Sequence, residues 1–132
     1  MNERPGEEMS KPNFYEQVYA VVRLIPAGQV TSYGRIAAML GSPNAARAVG
    51  YALRALKDTG DMPDYTDIPW QRVVNSQGRI SIQNREFGAQ LQAELLRGEG
   101  VVVGEEFRID LDRFLWSGLH WLEVDDLMGR NS

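Results

Sequence analysis

Apolar residues in the first half of the chain fall into three blocks at helical spacing, separated by short polar or glycine-rich breaks. Phe14, Val18, Val21, Val22 and Ile25 share one helical face, and Asn13 before them can cap a helix N-terminus. Pro26-Ala27-Gly28 ends this predicted helix, and Val30 reads as a short extended link. Thr31-Ser32 offers a second N-cap, followed by Tyr33, Ile36, Ala37 and Leu40 on one face. Gly41-Ser42-Pro43-Asn44 is a turn by composition. A third helix is predicted from about Ala45 to Leu56, with Val49, Ala52, Leu53 and Leu56 inward. Two short helices joined by a glycine-containing turn read as a helix-turn-helix whose second helix is the reader.

The second half is less periodic. Asp58 to Asp67, with Gly60, Pro63 and four aspartates, is a loop, and Ile68-Pro69-Trp70-Gln71-Arg72-Val73-Val74 is too short to classify by period. Asn75-Ser76-Gln77-Gly78 is a turn, and Arg79 to Ile82 alternates like a short strand. Phe87 to Glu99 is predicted as a helix with Leu91, Leu95 and Leu96 inward, stopped by Gly98 and Gly100. Val101-Val102-Val103 reads as a strand and Asp110 to Trp116 as a terminal turn. The expected division is a disordered tail over 1–12, one domain over 13–116 and a C-terminal extension over 117–132. Leu119, Trp121, Leu122, Leu127 and Met128 would let that extension dock as a further helix.

Composition narrows the chemistry. A chain of 132 residues, 43% hydrophobic, supports one domain with a real core. No apolar run approaches the roughly 20 residues that span a bilayer. Met1 to Lys11 is polar, unlike a signal peptide, so a cytoplasmic protein without a membrane partner is expected. There is no cysteine, which excludes disulfides, thiolate metal sites and a cysteine nucleophile. His120 is the single histidine, so no metal and no cofactor are expected. The formal net charge is −4, yet residues 23–85 hold eight Lys or Arg against four Asp. A basic middle between acidic ends suits a domain with one phosphate-facing side.

The reader helix begins Ala45-Ala46-Arg47-Ala48-Val49-Gly50, and Arg47 is the only long polar side chain of its first turn. A major-groove reader presents several polar fingers to base edges. Small residues instead admit the helix backbone to a narrow minor groove, with Arg47 as the one inserted side chain. The same residues also read as alanines that favour helix and allow tight packing, with Arg47, Arg54 and Lys57 as solvated charges.

Four stretches alter that balance: Gln29 to Ala37 (QVTSYGRIA), Asn44 to Gly50 (NAARAVG), Ile68 to Val74 (IPWQRVV) and Asn75 to Gly78 (NSQG). In this order and spacing the chain resembles the DNA-binding domain of O6-alkylguanine-DNA alkyltransferases, from about Phe14 to Trp116. The resemblance implies a mainly α fold with a short β element, a winged helix-turn-helix-like DNA-binding domain. In the enzymes of that family a Pro-Cys-His-Arg-Val motif supplies the alkyl-accepting thiolate and its activating histidine. Here Trp70 stands at the cysteine position and Gln71 at the histidine position. An indole is no thiolate and an amide is no base at neutral pH.

Tryptophan at this place marks the alkyltransferase-like proteins, whose usual motif is Pro-Trp-His-Arg-Val, so Gln71 is a departure. The resemblance implies a non-enzymatic sensor that binds double-stranded DNA containing O6-alkylguanine, flips the nucleotide and flags it for nucleotide excision repair. Its implied partners are therefore repair proteins such as the ATPase UvrA, and it is expected to act as a monomer. By the same resemblance Tyr33 pushes on the 3′ phosphate, and Arg47 fills the space left by the extruded base. Ala45, Ala46, Gly50 and Arg54 lie along the minor-groove helix. Trp70 walls the lesion pocket, Val73 offers its carbonyl to the guanine amino group, and Asn84 closes the other side. Gln83 stands where some relatives carry a pocket arginine, a second departure, with Arg85 two residues on. Read without the resemblance, Trp70 is a core tryptophan and Tyr33 caps a buried face. The alternative functions are a helix-turn-helix transcription regulator without lesion preference and a transferase using another nucleophile.

Overall fold

A computed structural model describes residues 13–58, 68–80 and 85–119. The expected tail over 1–12, most of the aspartate loop, Gln83, Asn84 and residues 120–132 lie outside the described residues. In chain order the elements are α1 (Phe14–Val22), β1 (Thr31–Ser32), α2 (Tyr33–Met39) and α3 (Ala46–Asp58). A 3-10 turn (Trp70–Arg72), β2 (Val73–Val74) and α4 (Arg85–Gly98) follow. A second 3-10 turn (Glu105–Phe107) and α5 (Leu111–Phe114) complete the order. The fold is mainly helical with one small parallel sheet, the expected class. Among the described residues no helix is long and apolar enough to cross a membrane.

Each early helix boundary has a local cause. Asn13 accepts from the Glu16 backbone N–H at 2.8 Å while Glu16 reaches back to the Asn13 N–H at 3.1 Å, a reciprocal capping box. α1 stops at Val22, three residues before Ile25, because Leu24 and Ile25 bond only three residues back as the chain tightens ahead of Pro26. Ser32 caps α2 through Oγ, which accepts from the Arg35 N–H. Gly41, at φ +79, ends α2: Gly41 N–H bonds the Ala38 carbonyl and Ser42 N–H the Ala37 carbonyl, a Schellman closure.

β1 and β2 pair in parallel, Thr31 opposite Val73 and Ser32 opposite Val74. Successive strand residues face opposite sides, so Val73 enters a core built by α1, α2 and α3, whereas Val74 enters a second core beside α4. Val30 extends the ladder to Leu115, accepting from Trp116 N–H at 2.7 Å and donating to the Phe114 carbonyl at 2.9 Å. Thr31 and Ser32 thus serve as strand and cap together.

Three expectations are corrected. Leu91 and Leu95 lie outward on α4, 42% and 39% exposed, and the buried face is Ala89, Gln92, Ala93 and Leu96. The rotation follows from Gln92, whose amide bonds to the Trp70–Arg72 region and brings small residues against it. Val101 to Val103 alternates in burial but, among the described residues, pairs in no ladder as the chain leaves a Schellman closure at Gly100 (φ +94). The strand expected from Arg79 is, within the described residues, a single antiparallel bridge between Arg79 and Arg108.

Candidate nucleic-acid interface

α3 is amphipathic by position: Val49, Ala52, Leu53 and Leu56 are buried, and Arg47, Tyr51 and Arg54 lie at i, i+4 and i+7 on the opposite side. Arg47 and Arg54 are exposed, and Ala45, Ala46 and Gly50 are half-buried. The first turn carries no acidic residue. The partial positive charge of the helix start and the Arg47 guanidinium therefore add on one surface, an arrangement that favours an anion rather than the helix itself. Tyr51, half exposed at 50%, was not singled out from the sequence. Helical position relative to Arg47 and Arg54 is the signal that finds it.

Tyr33, first residue of α2, packs against the first core and lies beside α3. A Cβ added at Gly50 would meet the Tyr33 ring carbons at 4.0 Å, so the ring covers the bare helix backbone at ordinary contact distance. Burial holds the Tyr33 phenol above the usual tyrosine range, against the opposing pull of the Arg54 guanidinium. The phenol is therefore a neutral hydrogen-bond donor at physiological pH, next to a cation.

The segment before β2 is shaped by Pro69. At φ −79 and ψ 67 it centres an inverse γ-turn, closed by Trp70 N–H to the Ile68 carbonyl at 2.8 Å. The 3-10 turn then places Trp70 half-buried against the first core, while Gln71 and Arg72 reach the C-terminal end of α4. There Glu99 receives Gln71 Nε2 at 2.7 Å, Arg72 Nε at 2.9 Å and Arg72 Nη2 at 2.8 Å, and Gly28 N–H at 3.4 Å. Arg72 Nη1 also donates to the Ile25 carbonyl at 2.7 Å, tying the end of α1 into the cluster. Burial works to raise the Glu99 carboxyl, but the donors from Arg72, Gln71 and Gly28 prevail and hold it below the usual carboxylate range. Gln92 Nε2 braces the same turn from α4, donating to the Gln71 carbonyl at 2.9 Å and the Val73 carbonyl at 3.0 Å. One of the two acceptor positions of the Val73 carbonyl is thereby used.

Tyr33, Ala45, Ala46, Arg47, Gly50 and Arg54 thus sit on α2, α3 and the turn between them, and Trp70 and Val73 on the braced turn and β2. Gln83 and Asn84 lie outside the described residues. The sequence alone does not single out Glu99 and Gln92. Their signals were an acidic residue at a helix C-terminus, where the helix dipole disfavours it, and a glutamine in register with Ala89, Ala93 and Leu96.

Comparison with known proteins agrees with this architecture. The model of the DNA-binding domain of 6-O-methylguanine DNA methyltransferase matches residues 13–101. The DNA base-flipping protein of Escherichia coli K12 is 42% identical over 112 residues, covering 84% of this chain and 81% of that protein. Alkyltransferase-like protein 1 of Schizosaccharomyces pombe is 38% identical over 112 residues, covering 82% and 98%. Among solved structures, S. pombe Atl1 in complex with damaged DNA containing O6-carboxymethylguanine aligns with a TM-score of 0.68 at 36% identity. That alignment spans 87% of this chain and 99% of the other. The chain belongs to the alkyltransferase-like branch of the O6-methylguanine-DNA methyltransferase family.

Proposed function

We propose that this protein is a non-enzymatic sensor of O6-alkylguanine in double-stranded DNA, docking α3 in the minor groove and flipping the modified nucleotide. The observation that carries the reading is the braced turn, where Gln71 Nε2 donates to Glu99; on the family resemblance, Trp70 would stand in place of the alkyl acceptor and Gln71 in place of its base. With no cysteine in the chain, alkyl transfer by the family's route has no nucleophile. Similarity to proteins named for base flipping, and to one solved with damaged DNA, supports the same reading.

The energetics of flipping fit the named residues. Extruding a base costs a few kcal/mol, less where O6-alkylation has weakened the pair. Arg47, exposed at the helix start, can enter the gap, stack on the neighbouring bases and bond to the orphaned partner. The neutral Tyr33 phenol can donate to the adjacent phosphate, and Trp70 offers an apolar face to the alkyl group. On this reading the protein works as a cytoplasmic monomer that hands the marked lesion to nucleotide excision repair, with UvrA as the contact.

Titrating fluorescently labelled duplexes with and without a single O6-methylguanine tests it. Tighter binding of the modified duplex is expected, with affinity falling as salt rises. Sequence preference with no lesion preference sinks the sensor and favours a transcription regulator. Pull-down of purified UvrA by the lesion-bound protein, and not by the free protein, tests the hand-over.

A further inference from the structure

We propose that Tyr51 is an additional DNA-contacting residue, whose phenol hydroxyl donates to a phosphodiester oxygen on the groove edge between the contacts of Arg47 and Arg54. The inference rests on the proposed minor-groove docking of α3 and extends it to a residue outside the motifs that identify the family.

Geometry carries the argument. Residues at i, i+4 and i+7 on a helix form one ridge, and here that ridge is Arg47, Tyr51 and Arg54, directly opposite Val49, Leu53 and Leu56. Any ligand that meets the outer face of α3 meets this ridge first. Tyr51 is 50% exposed, so a large aromatic ring stands in water between two exposed guanidinium groups. Gly50 beside it carries no side chain, and the Tyr33 ring packs on that flank at ordinary contact distance. A tyrosine there contributes little to the core, while its hydroxyl is a donor suited to phosphate and its ring to sugar. Phosphate contacts position a protein on the duplex without reading sequence or damage. The Tyr51 contribution is therefore the same for modified and unmodified DNA. Because the hydroxyl is neutral it displaces no counterion, so the salt dependence of binding is unchanged.

The test is anisotropy titration of the intact protein and its Tyr51→Phe, Tyr51→Ala and Arg54→Gln variants against O6-methylguanine and unmodified duplexes at several salt concentrations. Tyr51→Phe is expected to weaken both duplexes by about fivefold, the loss of one neutral hydrogen bond. Tyr51→Ala weakens both further, neither variant changes the salt slope, and Arg54→Gln lowers that slope. Unchanged affinity in Tyr51→Ala overturns the proposal, and so does a loss confined to the modified duplex. If the unaltered protein shows no lesion preference but Tyr51→Phe still weakens binding, the contact stands and the sensor reading falls.

Discussion

Gln71 Nε2 lies 2.7 Å from Glu99 Oε2, on the carboxylate that Arg72 grips through two guanidinium nitrogens. The pair joins the turn carrying Trp70 to the end of α4, and through Arg72 to the end of α1. A glutamine amide can supply this hydrogen bond without any capacity to take up a proton. The hydrogen bond braces the turn and supplies no base at Gln71.

The cluster sets a pH dependence. The Glu99 carboxyl is held below its ordinary range in the folded state, so its contribution is fully present above the unfolded carboxylate pKa, about 4.3. That contribution is lost as pH falls through the lower folded value. Glu99→Gln is expected to destabilise by about 2 kcal/mol at pH 7, because Arg72 and Glu99 are only 17% and 16% exposed. Urea denaturation at pH 7 and pH 3 checks this, and the gap between variant and parent should shrink at the lower pH. An equal gap at both values contradicts the assignment.

Gly50→Ala separates stability from binding. The added methyl would meet Tyr33 carbons at 4.0 Å, ordinary contact, and alanine favours helix over glycine by about 1 kcal/mol. Thermal unfolding is expected to rise, while affinity for lesion DNA falls because the methyl adds bulk beside the Tyr33 ring on the face proposed to meet the groove. A variant that is both more stable and equally tight removes Gly50 from the interface.

Arg47→Ala tests the inserted side chain. An exposed arginine in a helix first turn holds no core, so the denaturation midpoint should stay within about 0.5 kcal/mol of the parent. Lesion affinity is expected to drop at least tenfold, about 1.4 kcal/mol or more. Retained affinity would assign the gap-filling role elsewhere.

Leu95 and Leu96 provide a check on the rotation of α4. Leu96 is fully buried and Leu95 is 39% exposed. Leu96→Ala should cost about 3 kcal/mol and Leu95→Ala well under 1. Comparable losses would place Leu95 inward after all.

Much of the fold was legible where local chemistry decides it. Asn13, Ser32 and Gly41 mark helix ends by capping, and Asn75 organises its turn by accepting from the Gln77 and Arg79 N–H groups. Gly78 is dictated more strongly still: at φ +80 a Cβ would sit 2.6 Å from the Ile109 carbonyl oxygen. What periodicity could not supply was tertiary. Leu95 looked inward because leucine is apolar, but the position of α4 is set by Gln92 bonding to a turn 21 and 19 residues away. The segment Ile68 to Val74 has no period because it changes from γ-turn to 3-10 turn to strand within seven residues. At the interface, the α3 residues follow from spacing, whereas Glu99 emerges only once the chain brings it to Gln71 and Arg72.

Recognition without repair is decided by following the fate of the alkyl group itself. The protein is incubated in excess with a duplex carrying O6-methylguanine labelled in the methyl group, and the label is followed after denaturation. A stable complex with the label entirely retained in DNA is expected. Label appearing on the protein, or released into solution in proportion to protein, would contradict it.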